Sequence, residues 1–347
     1  MKPFKCRQCR AEIAFINGPH KFLDCPHCGK RNKVYTNSTG IRLVIKAALI
    51  LICSLNAFGQ DRVLVNLVNF QDDQRQPYTV EQMEQAMVTV DAFYRENSNG
   101  LKSFAVEVRD WRTIPITKTC EQAAIGGTVE GYDKVIWAYP FIGCSYAGSG
   151  YANGVAYTST DNLSTALLAH ELGHTYLFEH SAATDCAPLI FCTTAILPYG
   201  DVWDVMGGGQ LNHFNAFHKE SVGWMTVPEV TTGTYTLNSH QAIKIKRADG
   251  SFYYVEFRRP VGFDWSLERF NVSVGVAVRI VYSRSYLLDM TPETSSRYDS
   301  LLTGTYSEGG ITISLISVGE SAVVSVTTPT IKPTCLRYNA KGKCIKN

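Results

Sequence analysis

The chain lacks several things that would narrow its function quickly. It has no internal repeat and no low-complexity tract, which excludes solenoids, arrays and fibrous architectures. Net charge is only +2 over 347 residues, with 18% of them charged, so nothing in the overall balance calls for nucleic acid or an acidic surface as partner. Long apolar runs are missing too. The strongly apolar stretch AALILICSL (47–55) is closed by Lys46 and Asn56, well short of the roughly 20 residues of a spanning helix. With 45% hydrophobic residues, the remainder is an ordinary globular composition, able to bury one large core or two smaller ones.

The small net charge hides an uneven distribution. Ten basic residues, Lys2 to Lys46, precede the apolar run, and only Arg62 and Arg75 follow it closely. That asymmetry places the N-terminus in the cytoplasm and the rest outside. Basic flank, apolar core and the small residues of NAFGQ (56–60) follow in the order of an export signal. Two readings stay open. Either 41–60 is an uncleaved signal-anchor, holding the chain to the membrane through 41–59, or translation starts near Val44 and the product is secreted.

Cysteines divide at the same point. Cys6, Cys9, Cys25 and Cys28 form C-x2-C, a fifteen-residue gap and C-x2-C, the spacing of a four-thiolate structural zinc site. Residues 1–40 are therefore expected to be a small zinc ribbon, cytoplasmic if the anchor is uncleaved. Zinc ribbons are more often structural or protein-binding than readers of nucleic acid. Cys53 reads as one apolar residue of the run. The other six lie on the outer side, where proximity pairs Cys120 with Cys144, Cys186 with Cys192 and Cys335 with Cys344.

Beyond Gln60, VLVNLVNF (63–70) reads as a buried strand. TVEQMEQAMVTVDAFYREN (79–97) follows as an amphipathic helix with a Thr79/Gln82 capping box, and 103–109 and 133–140 as two further strands. After Val227 helical periodicity disappears and alternating runs take over, with a hairpin signal at Asp249-Gly250. The expected class is α+β, with a mixed domain over 61–227, a β-sandwich-like domain over 228–330 and a cysteine-clipped tail over 331–347.

The chemistry-bearing stretch is HELGHTYLFEH (170–180). On a helix His170 and His174 lie one turn apart and can present both imidazoles to one metal ion, with Glu171 placed to exchange protons with an attacking water. His180 supplies the third ligand that a catalytic zinc needs. Asp161 or Asn162 is the expected N-cap, and Gly173 suggests close backbone packing. His213 and His218, five apart, read as ordinary polar residues.

HELGHTYLFEH resembles the H-E-x-x-H-x-x-G-x-x-H signature of metzincins, and DVWDVMGGG (201–209) resembles their Met-turn. LPYGDVWDVMGG, HFNAFHKESVGWM and VLVNLVNFQDDQRQPYT are similar to the gametolysin family of secreted zinc peptidases, over about residues 63–326. The resemblance implies a metzincin-like (zincin) catalytic domain. It also implies a catalytic zinc on His170, His174 and His180, Glu171 as general base, and Met206 beneath the metal. It places Glu220, an alternative third ligand, outside the site. The implied activity is endopeptidase cleavage of extracellular protein or peptide substrates, with 150–158 as an edge strand for substrate. The sequence departs from the family where Leu177 replaces the glycine that turns the chain back toward His180. With the domain starting directly after Gln60, no room remains for an inhibitory pro-segment. The competing expectation is a zinc-stabilised but catalytically inactive binding protein, against which Glu171 speaks.

Overall fold

The computed structural model describes residues 59–185, 189–208, 210–294 and 296–329, together with the backbone of four short strands nearer the N-terminus. Met1–Ala57 and Phe58–Asn347 form two compact units. In the first, Phe4–Lys5 pairs antiparallel with Glu12–Ile13, and Phe22–Asp24 with Arg31–Lys33. Cys6, Cys9, Cys25, Cys28, the apolar run with Cys53, and the tail with Cys335 and Cys344 lie outside the described residues. Among the described residues no helix is long and apolar enough to cross a membrane.

The second unit is α+β. Its chain opens with β1 (Gln60–Phe70), α1 (Val80–Asn97), β2 (Ser103–Ile114), β3 (Lys134–Tyr139), β4 (Gly148–Gly150), β5 (Val155–Ser159) and α2 (Thr165–His174). The strands form one sheet in the order β2-β1-β3-β5-β4, parallel except for β4. Both faces are covered, which is why β1 is apolar almost throughout. Val63, Val65 and Leu67 face Met83, Met87, Val90 and Tyr94 of α1 and Leu168 and Leu172 of α2. Leu64 and Val68 pack on the opposite side with Trp137, Tyr139 and Tyr157. The α1 capping box is present in full. The expected substrate-pairing strand needs correction, since β5 is interior and the edge is the three-residue β4 before it.

After α2 come β6 (Ala182–Thr184), β7 (Ile196–Leu197), α3 (Ala216–Ser221), β8 (Glu229–Val230), β9 (Gly233–Asn238), β10 (Gln241–Lys246), β11 (Phe252–Phe257), β12 (Ala277–Val281), β13 (Ser285–Leu287), β14 (Thr305–Glu308), β15 (Ile311–Val318) and β16 (Ser321–Thr327). They make a seven-stranded sheet, β7-β6-β13-β12-β11-β10-β8, and a four-stranded one, β9-β16-β15-β14. One buried cluster draws Ile245, Val255 and Val278 from the first and Ile313, Val324 and Val326 from the second. The β10–β11 hairpin turns at Gly250, whose φ is +88°.

Two features add to the expected plan. Strands are not the only regular structure of the region, because Gly262–Phe270 and Val272–Val274 are 3₁₀ helices. The first serves to bury Asp264, whose carboxylate takes bonds from Arg258, His240 and the His213 N–H. Nor does the sheet respect a boundary at Val227: β6 and β7, both upstream of it, extend the sheet through parallel pairing of Ala182 with Tyr286 and Ala183 with Leu287.

Candidate metal centre

α2 starts two or three residues later than its sequence suggests. Ser164 is the N-cap, its Oγ accepting from the Leu167 N–H. Asp161 is engaged elsewhere, accepting from the Phe141 N–H and Arg75, and Asn162 donates its N–H to Thr160 Oγ1 in a local turn. The helix still carries His170, Glu171 and His174, and ends immediately afterwards. Leu177 then adopts the left-handed conformation at φ +67°, the shape usually left to glycine. The Leu177 N–H donates to His174 O and the Phe178 N–H to Gly173 O, and the reversed chain carries His180 back to the helix.

Ligand nitrogens of His170, His174 and His180 all lie within 4.8 Å of one another. Nδ1 of His170 is 2.8 Å from Val205 O and Nδ1 of His174 is 2.7 Å from Phe178 O, so each ring donates from Nδ1 and turns the lone pair of Nε2 inward. Nε2 of His174 lies 3.1 Å from Nε2 of His180. Two imidazole nitrogens held that close need a shared cation or proton between them. Burial, followed by their mutual repulsion, pushes His180 down to about 3; burial pushes His170 down to about 4 and lowers His174. Neutral rings favour a metal over a proton, so the donor set fits zinc.

Glu171 is 4% exposed and its Oε2 has no hydrogen-bond partner. Burial raises its carboxyl to about 8. Two cavities meet at this residue. One of about 550 Å³ is lined by Tyr146, Gly148, Ser164, Leu167 and Tyr199, and one of about 440 Å³ by Gln122, Gly150, Tyr151, Glu179 and Tyr199. β4 runs alongside because its two glycines have no side chains to hold it off: a Cβ on Gly148 would meet Glu171 Oε1 at 2.5 Å, and one on Gly150 would meet Glu171 O at 2.0 Å. The Cys120–Cys144 disulfide, with a Tyr146 hydroxyl bond to Cys120 O, pins the segment leading into β4. Cys192 is also disulfide-bonded; Cys186, read as its partner, lies outside the described residues.

Met206 is fully buried against α2, where a Cβ on Gly173 would approach its Sδ to 2.6 Å. This is the packing reason for a helical glycine. Asp204 shapes the turn that delivers it, accepting from the Met206 N–H (2.7 Å), Ser181 Oγ (2.7 Å) and the Asn215 N–H (2.9 Å). Burial alone would raise Asp204, but His218 and these bonds outweigh it and hold the carboxylate well below its usual range.

Glu220 is remote in function, bonded to Lys244 and Tyr254. His213 and His218, read as ordinary polar residues, are both buried. His218 is buried, stacked on Phe178, with Nδ1 3.3 Å from Asp204 Oδ2. His213, His240 and Asp264 form a second group with ligand atoms within 4.8 Å. They fit a metal poorly: both ring nitrogens of His213 are taken, by Glu96 and Lys219, and Arg258 occupies both oxygens of Asp264. Sequence reading missed Tyr199, whose ring centroid is 4.0 Å from that of His180. Its place between the third histidine and Met206 was the available signal.

No family model and no curated protein matches the chain. Among solved structures it is similar to one described as "Structure of a chaperone-substrate complex", at 16% identity and a TM-score of 0.30. That match covers 46% of this chain and 29% of the other, a likeness too small to bear on fold or function.

Proposed function

We propose that the exported part of this chain is a zinc-dependent endopeptidase of the metzincin type, similar to gametolysins, acting on extracellular proteins. The observation that carries the reading is the convergence of three neutral imidazoles beside an unpartnered, buried Glu171 Oε2 at the foot of an open sheet edge. His170, His174 and His180 would hold the ion, which when bound supplies Lewis acidity and makes water acidic enough to attack near neutral pH. Glu171 accepts the proton of the attacking water at Oε2 and returns it to the leaving amine. β4 offers free backbone groups for an extended substrate, in the manner of strand addition. Met206 supports the helix from below, in the role of a Met-turn methionine. The Cys120–Cys144 bond and the charge asymmetry about the apolar run support export, with the four N-terminal cysteines as a structural zinc ribbon on the other side.

Glu171→Gln is the deciding variant, because it deletes a proton acceptor and no ligand. Bound zinc measured alongside cleavage of a denatured protein should show full metal content and a loss of turnover of at least about 100-fold. Equal turnover in the zinc-loaded variant would remove the base from the mechanism. Bound zinc without any hydrolysis in the parent would leave the zinc-stabilised, inactive binding protein as the better reading.

A further inference from the structure

A cavity of about 650 Å³, separate from the histidine centre, is lined by Glu96, His213, Lys219, Trp224, His240 and Val261 among others. It lies where the end of α1, the α3 segment and the turn between β9 and β10 come together. Lys219 is the unusual member. It is 3% exposed, and its Nζ makes one hydrogen bond, to Nδ1 of His213 at 3.0 Å. Among the described residues no carboxylate oxygen comes within the 4.0 Å of an ion pair with it. The acids around it bond elsewhere: Asp264 to Arg258 and His240, Asp204 to Ser181 and the Met206 and Asn215 N–H groups, Glu96 to His213 Nε2 and the Phe263 N–H, and Glu256 to Arg279 through Oε2, its Oε1 having no hydrogen-bond partner. An ammonium whose one hydrogen bond goes to a neutral acceptor, with Glu256, Asp264 and Asp204 near enough to favour its charge but none in ion-pair contact, is costly in a protein interior, and an anion arriving from outside would complete its pairing.

We propose that this cavity binds a small organic monocarboxylate, paired through its oxygens with the Lys219 ammonium. Size and walls select the class. The space is many times the roughly 30 Å³ share of one water and falls in the range of small-molecule sites, too roomy for a lone inorganic anion. Trp224, Met225 and Val261 give it apolar wall for a carbon skeleton. Glu96 on the same wall repels a second negative charge, which disfavours phosphate, sulfate and dicarboxylates. His213 stays neutral, lowered to about 4 by burial and then by the Lys219 charge, so it accepts from Nζ and does not compete for the anion.

The test uses the full chain at constant ionic strength and follows its melting temperature against butyrate and benzoate, with chloride and sulfate as controls. Both carboxylates should stabilise it saturably at pH 7. Lys219→Met should abolish the effect. Folding lowers the Lys219 amine to about 8, so affinity should fall by about tenfold or more between pH 7 and pH 10 as the ammonium is lost. Equal stabilisation by chloride or sulfate, or an undiminished response in Lys219→Met, overturns the proposal. So does stabilisation by zinc that strengthens as pH rises and survives in His174→Ala, which would make His213, His240 and Asp264 a metal site. Should Lys219→Met fail to fold, acetylation of Lys219 in the parent, read by mass, keeps the question decidable: several-fold protection by butyrate supports the site, and no protection sinks it.

Discussion

At the scale of single residues, the position most at odds with its surroundings is Leu177. Its left-handed backbone costs roughly 1–2 kcal/mol, and the side chain recovers little by packing, being 75% exposed. A three-histidine zinc site supplies about 10 kcal/mol or more, so the strain bends the chain without defeating the site. Leu177→Gly should therefore keep zinc affinity and raise stability by up to about 1 kcal/mol. His180→Ala should lower zinc affinity at least about 100-fold and abolish turnover; competition with a chromogenic chelator measures both variants, and parental affinity in His180→Ala would place the third ligand elsewhere. His170, His174 and Glu171 were legible because a four-residue spacing is a local property of any helix. Tyr199 and Asp204 were not, since their place at the site depends on contacts that no short window of sequence contains.

At the scale of elements, β4 shows what local pattern cannot supply. GYANGVAYT alternates well enough to read as the edge, but β5 pairs on both sides and the weakly patterned GSG becomes the border strand. What selects it is the helix beneath, because only strand glycines fit between the sheet and Glu171. Gly150→Ala should consequently press on Glu171 O and on His174 Cβ, at 2.0 and 2.8 Å from the new carbon. The expected cost is about 1–3 kcal/mol of stability, with weaker zinc binding through the displaced His174. Denaturant unfolding and zinc titration check it, and a neutral result on both would show that β4 yields easily. The long apolar β1 and the capped α1 were read correctly for the opposite reason: their periodicity and cap are complete within their own residues.

Across the whole molecule, buried charge ties the parts together. Arg279 on β12 bonds Asp201, three residues before Asp204, and Glu256 on β11; Arg258 reaches Trp203 O and His213 O. Lys219 in the same interior sets a measurable pH dependence. Burial lowers its amine from 10.5 to about 8, so between pH 8 and 10.5 the unfolded chain holds a proton that the folded chain has released. Stability therefore rises with pH across that window by about 3 kcal/mol, with the full penalty present below pH 8. Lys219→Met should be more stable than the parent by about 2 kcal/mol at pH 7, after the lost bond to His213, and the advantage should vanish above pH 10.5; chemical denaturation at both ends of the window tests it. The sheet that crosses Val227 has a consequence for descent. β6 begins two residues after His180 and is completed only by β13, about a hundred residues later. Residues 61–227 made alone should fail to bind zinc at parental affinity, and parental binding by that fragment would show that β6 needs no partner. The two halves must then be inherited together: a recombination at the apparent seam would separate the third histidine from the strand that holds it, leaving neither product a working half to select.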